Sequence, residues 1–246
     1  MDLRDLHIAI ELHDVDGIRK ILSSFPKLEG GYQGKPWIEL LIGEYTRSPR
    51  FKECAAVFIA CGDNLGDKFL EAVLTNNSAL LSDLLSKDPE KAFRRYTFSS
   101  AYTQFLEVSL MHLCAEFNHV ACAEILLQYG LSIDISAGFD SLGLGGQTPI
   151  FHTVNQNGNQ SKEMLDFCLK NQASLDIMLK GLIWGKDRPW ETFLPDVSPV
   201  SYAMMGLLPQ MHRNEKTVAD TVELLMKHKY GKEIKISNVP NAYLKG

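Results

Sequence analysis

The chain has 246 residues, of which 45% are hydrophobic and 22% are charged, and its formal net charge is -5. This composition is that of a globular protein with a substantial core, and it argues against a disordered chain. Lys and Arg together number 25 against 30 Asp and Glu. The chain therefore lacks the basic excess that binding to a phosphate backbone requires, and we expect no nucleic acid among its partners.

The first eleven residues, MDLRDLHIAIE, alternate charged and apolar side chains. They contain no continuous apolar segment of the kind found in signal peptides. No window approaches the roughly 18 consecutive apolar residues of a membrane-spanning helix, so we expect no membrane association. The five cysteines are odd in number, form no C-x-x-C pair and lie in apolar helical patterns. We predict reduced, core-filling thiols in a cytoplasmic protein. The cysteines are Cys54, Cys61, Cys114, Cys122 and Cys168.

Six pairs of short helical patterns follow one another along the chain. The first helices begin near residues 4, 35, 67, 109, 148 and 198, with successive gaps of 31, 32, 42, 39 and 50 residues. Apolar residues spaced three and four apart predict the second helices over residues 18–22, 55–59, 80–85, 125–130, 164–169 and 222–226. Because one helical hairpin cannot bury its own apolar face, we predict an all-α solenoid of stacked hairpins.

The boundaries of these helices carry recognisable signals. Thr148-Pro149 and Ser198-Pro199 are typical of helix starts, since the hydroxyl can accept from a free N–H and Pro loses no hydrogen bond in the first turn. Gly130 stands where a helix is expected to end in a left-handed residue.

The fourth pair resembles the ankyrin repeat, a unit of about 33 residues that carries T-P-L-H-x-A at its first helix. Residues 109–114, SLMHLC, keep the His of that motif, and residues 148–153 and 198–203 keep the Thr/Ser-Pro start. Residues 4–9 keep Leu-His-x-Ala. The resemblance spans the whole chain and implies one ankyrin-repeat domain over residues 1–246, in which His7 and His112 bond neighbouring backbone and are structural.

The first of three insertions, at residues 88–108, combines a basic pair, Arg94-Arg95, with Phe and Tyr side chains. It admits two interpretations. It is either a binding loop or an elongated first helix whose aromatic side chains pack inward, and the second interpretation is favoured.

Residues 135–147 form the second insertion and contain Gly143, Gly145 and Gly146. They lack the third correctly spaced Gly and the Lys of nucleotide-binding loops, so we predict a glycine-rich turn between repeats. The third insertion, residues 177–197, holds two of the three tryptophans, and we predict Lys186-Asp187 as the tip of a β-hairpin finger.

In ankyrin proteins such fingers help to bind partners, and Trp and Arg side chains often dominate interface energies. The sequence leaves open whether Trp184 and Trp190 bind a partner or fold back over the groove between the fifth and sixth repeats. As an interface hypothesis we name the side chains of both later insertions. They are Phe139, Leu142, Leu144, Trp184, Lys186, Arg188 and Trp190.

The chain lacks the H-E-x-x-H, G-x-S-x-G and Walker patterns, and its cysteines lack zinc spacing. We therefore predict no catalytic residue, no cofactor and no metal ligand. The favoured function is a monomeric interaction module that binds a protein partner through its concave helix face and its loops. The alternatives are an inhibitor or immunity protein that neutralises a toxin or enzyme, and a small-molecule enzyme or sensor on the same scaffold.

Overall fold

A computed structural model describes residues 3–24, 31, 34–63, 65–100, 103–186, 189–205 and 214–235. Within these ranges the chain is mostly helical, with two small antiparallel sheets. The α-helices are α1 (Leu3–Glu11), α2 (Val15–Ser24), α3 (Trp37–Gly43), α4 (Phe51–Ala60), α5 (Lys68–Leu74), α6 (Ser78–Lys87), α7 (Leu110–Phe117), α8 (Val120–Gln128), α9 (Lys162–Lys170), α10 (Pro199–Met204) and α11 (Glu215–Tyr230). The 3₁₀ helices are Pro89–Phe93, Pro149–His152 and Asn157–Asn159. The strands are β1 (Arg95–Phe98), β2 (Phe105–Ser109), β3 (Leu179–Trp184) and β4 (Thr192–Val197).

The helices pack as consecutive pairs, in the order that the sequence predicts. Helices α1 and α2, α3 and α4, α5 and α6, α7 and α8, and α10 and α11 contact each other, and successive pairs contact through α2 with α4, α5 with α7 and α6 with α8. One continuous apolar core runs from Leu6 in α1 to Leu225 in α11. Each pair thus covers the apolar face of its neighbour, as expected for a stack of hairpins.

Polar side chains fix several helix starts. Asp67 accepts hydrogen bonds from the backbone N–H of Phe69 and Leu70, and Asn77 accepts one from Leu80. These carboxylate and amide oxygens satisfy backbone donors that have no partner inside the helix. Each helix of the third pair therefore begins at a residue set by its own cap.

The fifth pair is the least regular. Its first element is a single turn of 3₁₀ helix, Pro149–His152, packed against α7 and α9. The predicted cap from Thr148 is not made, since this side chain forms no capping hydrogen bond and its hydroxyl has no hydrogen-bond partner in the part of the chain that the structure describes. At the sixth pair, in contrast, Ser198 and Ser201 form a reciprocal capping box at the start of α10.

The favoured interpretation of residues 88–108 as an elongated helix is wrong. Pro89–Phe93 form a short 3₁₀ helix, and β1 and β2 then pair antiparallel, with Arg95 opposite Ser109 and Phe98 opposite Phe105. The reason lies in Arg95–Phe98, where side chains alternate between exposed and half-buried with the two-residue period of a strand.

Cys61 corrects a second expectation. Cys54, Cys114, Cys122 and Cys168 are buried free thiols, but Cys61 is exposed. It follows the last residue of α4, where its N–H closes the helix by donating to carbonyls of the final turn. An apolar pattern that ends at Cys61 cannot distinguish the last buried position from the first exposed one.

None of the helices in the described ranges combines the length and the apolar character that a bilayer crossing requires.

Candidate functional site

The three insertions lie side by side and are joined by hydrogen bonds. Gly138 N–H donates to Leu106 O of the first insertion at 2.9 Å, and Gly145 N–H donates to Gly181 O of the third insertion at 3.0 Å. The Lys180 ammonium also donates to Leu142 O at 2.7 Å. We call the surface formed by the described residues of 95–109, 135–147 and 177–197 the loop face. It places segments that are separated by almost 70 residues in sequence on one connected surface.

The second insertion is a tight glycine-rich turn, as predicted. Phe139 and Gly145 form a β-bridge across it, and the Asp140 carboxylate accepts from the N–H of Leu142 and of Leu144. Gly146 has a φ of +74°, and a Cβ there would lie 2.2 Å from the Phe139 ring. A glycine at this position therefore leaves room for the ring to lie directly on the backbone.

The predicted interface side chains of this turn divide into two groups. Phe139 and Leu142 are exposed, whereas Leu144 is buried. The predicted interface role of the Leu144 side chain therefore does not fit its burial.

The third insertion forms the predicted hairpin finger. Strands β3 and β4 pair antiparallel, from Leu179 opposite Val197 to Trp184 opposite Thr192. Lys186 is exposed just beyond β3. Arg188, together with the predicted tip residue Asp187, lies outside the described residues.

The structure separates the two tryptophans by their exposure to solvent. Trp184 is only 4% exposed, and its indole N–H donates to the Tyr202 hydroxyl at 2.7 Å. Trp190 is 44% exposed and lies against Gly185, where a Cβ would be 2.3 Å from its ring. Trp184 therefore belongs to the core between the finger and α10, and Trp190 belongs to the surface.

Two exposed apolar residues of the loop face, Met178 and Phe193, are absent from the interface predicted from the sequence. Phe193 is the neighbour of the buried Leu194 in β4, and its ring covers Gly181 on the opposite strand. Neighbouring side chains of a strand point to opposite faces, so the adjacent apolar pair Phe193-Leu194 in the predicted hairpin was a signal that one of the two would be exposed.

A second candidate is a polar cleft of about 210 Å³ whose lining includes Arg47, Lys52, Glu116, His119, Gln156 and Glu163. At its edge, Arg47 Nε donates to Glu116 Oε1 at 2.7 Å, and Glu116 Oε2 lies 2.6 Å from His152 Nδ1. Burial by itself would raise the pKa of Glu116, but Arg47 and His152 together hold that pKa below its usual value. The carboxylate is therefore ionised and paired.

The two histidines assigned structural roles differ in their surroundings. His112 is fully buried, with Nδ1 3.1 Å from the Ser109 nitrogen and Nε2 2.9 Å from Gln147 O in the next unit. This is the backbone bonding that the repeat resemblance implied. His7 directs Nε2 towards two carboxylates, those of Glu11 and Glu44.

No protein-family model and no curated protein sequence matches the chain. Among solved structures, the chain is similar to the ankyrin repeat domain of Bcl-3, a member of the IkappaB protein family, with 15% identity and a TM-score of 0.39 over 91% of this chain and 71% of that chain. It is also similar to the human ASB11 ankyrin repeat domain, with 14% identity and a TM-score of 0.41 over 96% of this chain and 93% of that chain. The chain, a stack of paired helices with ankyrin-like motifs, is thus similar to ankyrin-repeat domains.

Proposed function

We propose that the chain is a protein-binding module and that its loop face contacts the partner. The observation that carries this proposal is the clustering of exposed apolar side chains. Twelve large apolar side chains of the described residues are exposed, and five of them lie on the loop face. These five are Phe139, Leu142, Met178, Trp190 and Phe193.

Grouped apolar side chains on a surface mark sites of protein association more often than isolated ones do. Three of the five are aromatic, and aromatic side chains are enriched among the residues that dominate binding energy. Backbone hydrogen bonds connect the insertions, the Phe139 ring packs against Gly146 and the Trp190 ring packs against Gly185. These contacts hold the two rings in place before a partner binds. Binding therefore loses less conformational entropy than it would with free loops.

The sequence resemblance supports the same proposal, because fingers between ankyrin repeats help to bind partners. We treat residues 1–246 as one repeat domain that acts as a monomer. An inhibitor or immunity protein is a narrower form of this function, in which the partner is a toxin or an enzyme.

The small-molecule alternative would use the polar cleft beside Arg47. Its volume of about 210 Å³ is below the roughly 300–1,000 Å³ of typical ligand pockets. The dense pairing of Arg47, Glu116 and His152 also leaves these groups engaged with each other. Both observations favour the loop face over the cleft as the functional surface.

The test is affinity capture with the full chain, followed by reconstitution of the complex with the purified partner. We expect the paired substitution Trp190→Ala and Phe193→Ala to weaken binding at least tenfold, since two exposed aromatic rings are removed from the contact. Tyr45→Ala, at an exposed aromatic residue between α3 and α4, is the matched control and should bind as the parent does. Equal affinity of all three proteins would reject the loop face as the binding surface.

A further inference from the structure

Three potential metal ligands from the first two helix pairs converge at one point. His7 Nε2 lies 3.5 Å from Glu11 Oε1 and 3.6 Å from Glu44 Oε1, and the three ligand atoms all lie within 4.8 Å of one another. His7 and Glu11 are one helical turn apart in α1, so their side chains share a face. Glu44 follows the last residue of α3, where its N–H donates to Leu40 O.

This arrangement departs from that of the corresponding His in the fourth pair. His112 Nε2 meets a backbone carbonyl of the next unit, the oxygen of Gln147. At the same motif position in the first pair, His7 Nε2 meets two carboxylates, and one of them comes from the next unit. Two carboxylates therefore stand where the fourth pair has one backbone carbonyl oxygen.

The charges of this cluster do not balance within the described part of the chain. The carboxylates of Glu11 and Glu44 have no ion-pair partner there other than His7. Arg47 contacts the backbone oxygen of Glu44 and directs its Nε to Glu116. One imidazole, even if protonated, leaves a net negative charge that a divalent cation would neutralise.

The spacing also fits a metal better than direct hydrogen bonds. Separations of 3.5 and 3.6 Å exceed the roughly 2.7–2.9 Å of a charge-assisted N–H···O bond. Zn–N and Zn–O bonds of about 2.0–2.1 Å in a tetrahedron place neighbouring ligand atoms about 3.3 Å apart. One imidazole nitrogen and two carboxylate oxygens are a donor set suited to such an ion, with a fourth position for water.

We propose that His7, Glu11 and Glu44 bind a divalent transition metal ion of the Zn²⁺ type. The ion links α1 to the end of α3 and so connects the first helix pair to the second. Sequence spacing does not reveal the site, because Glu44 is 37 residues from His7 and is brought there by the packing of α1 against α3. This inference is independent of the proposed partner-binding surface.

The test is calorimetric titration of chelator-treated full-length protein with ZnCl₂. The background carries Cys61→Ser, because Cys61 is an exposed thiol that itself binds zinc. We expect one Zn²⁺ per chain and an upward shift in melting temperature with zinc. Glu44→Gln and Glu11→Gln should each weaken zinc binding more than about 100-fold. Substitution of residues that only hydrogen-bond to a metal ligand already lowers metal affinity roughly 10–100-fold.

Glu53→Gln, at an exposed glutamate in α4, is the control and should bind zinc as the background does. Glu11 is also exposed, so its variant is expected to fold and keeps the test valid if substitution of Glu44 or His7 prevents folding. No binding in the Cys61→Ser background, or equal affinity in Glu11→Gln, would overturn the proposal. Equal affinity for Mg²⁺ would contradict the assignment of His7 as a ligand, since imidazole nitrogen is a poor ligand for that ion.

Discussion

At the scale of single residues, the structure depends on ionisable groups that are buried together. Glu116 in α7 accepts from Arg47, which precedes α4, and contacts His152 in the fifth unit. These three side chains join the second, fourth and fifth pairs through one carboxylate. A buried ion pair adds little net stability over an apolar contact, but removing one partner leaves a buried charge uncompensated.

We therefore expect Glu116→Gln to lower the free energy of unfolding by about 3–5 kcal/mol, because Arg47 remains buried without its counter-charge. Urea denaturation measures the change. Glu124→Gln, at an exposed glutamate in the next helix, α8, is the control and should change stability by less than about 0.5 kcal/mol. Similar losses in both variants would show that the Arg47–Glu116 pair is not a structural connection.

At the scale of elements, the β3–β4 finger shows what sequence reasoning reached and where it stopped. Apolar runs on either side of Lys186-Asp187 predicted a hairpin, because strand formation depends on local residue preference. These apolar runs did not indicate which of Trp184 and Trp190 is buried, since burial depends on which other parts of the chain pack against each side chain. The Tyr202 hydroxyl, supplied by α10, bonds Trp184 and Thr103 at 2.7 Å each, so contacts from elsewhere in the chain decide which ring is buried.

The substitution Trp184→Phe separates the two roles of the finger. It removes the bond to Tyr202 and leaves a gap beside the hydroxyl, so we expect the free energy of unfolding to fall by about 1–3 kcal/mol. Partner capture at a temperature where the protein stays folded should be unchanged, because the exposed rings of Trp190 and Phe193 are retained. Thermal or urea unfolding and capture are measured on the same preparation. A loss of capture without a loss of stability would place Trp184 in the interface instead.

At the scale of the whole molecule, buried histidines in separate helix pairs make stability depend on pH. Burial lowers the pKa of His13 and of His119 from 6.5 to about 4, and it places the pKa of His112 well below its usual value. Each ring is neutral in the folded protein. His119 lies 2.8 Å from Val73 O of the neighbouring unit, so protonating these rings acts on the contacts between pairs as well as within them.

We expect the free energy of unfolding to decrease as the pH falls from 6.5 towards 4. In that range the histidines of the unfolded chain take up protons, whereas the buried histidines of the folded chain do not. Proton uptake therefore stabilises the unfolded state relative to the folded state. Each shifted group contributes about 1.4 kcal/mol per pH unit at most. Urea unfolding across this range measures the slope, and His119→Gln should flatten it, whereas substitution of the exposed His228 should not. A slope that is zero in the parent protein would contradict the neutral, buried state of these rings.

The sequence by itself predicted the order of the helix pairs, because helical periodicity and the repeat motif are local signals. It also predicted the finger and the glycine-rich turn, whose backbone geometry depends on the residues within them. Only the tertiary structure decided that Arg95–Phe98 pairs with Phe105–Ser109. It also decided that Trp184 and Leu144 are buried while Phe193 is exposed, and that Glu44 meets His7. Each of these depends on contacts between residues far apart in sequence. Whether a side chain is buried depends on which distant residues pack against it and remove its surface from water.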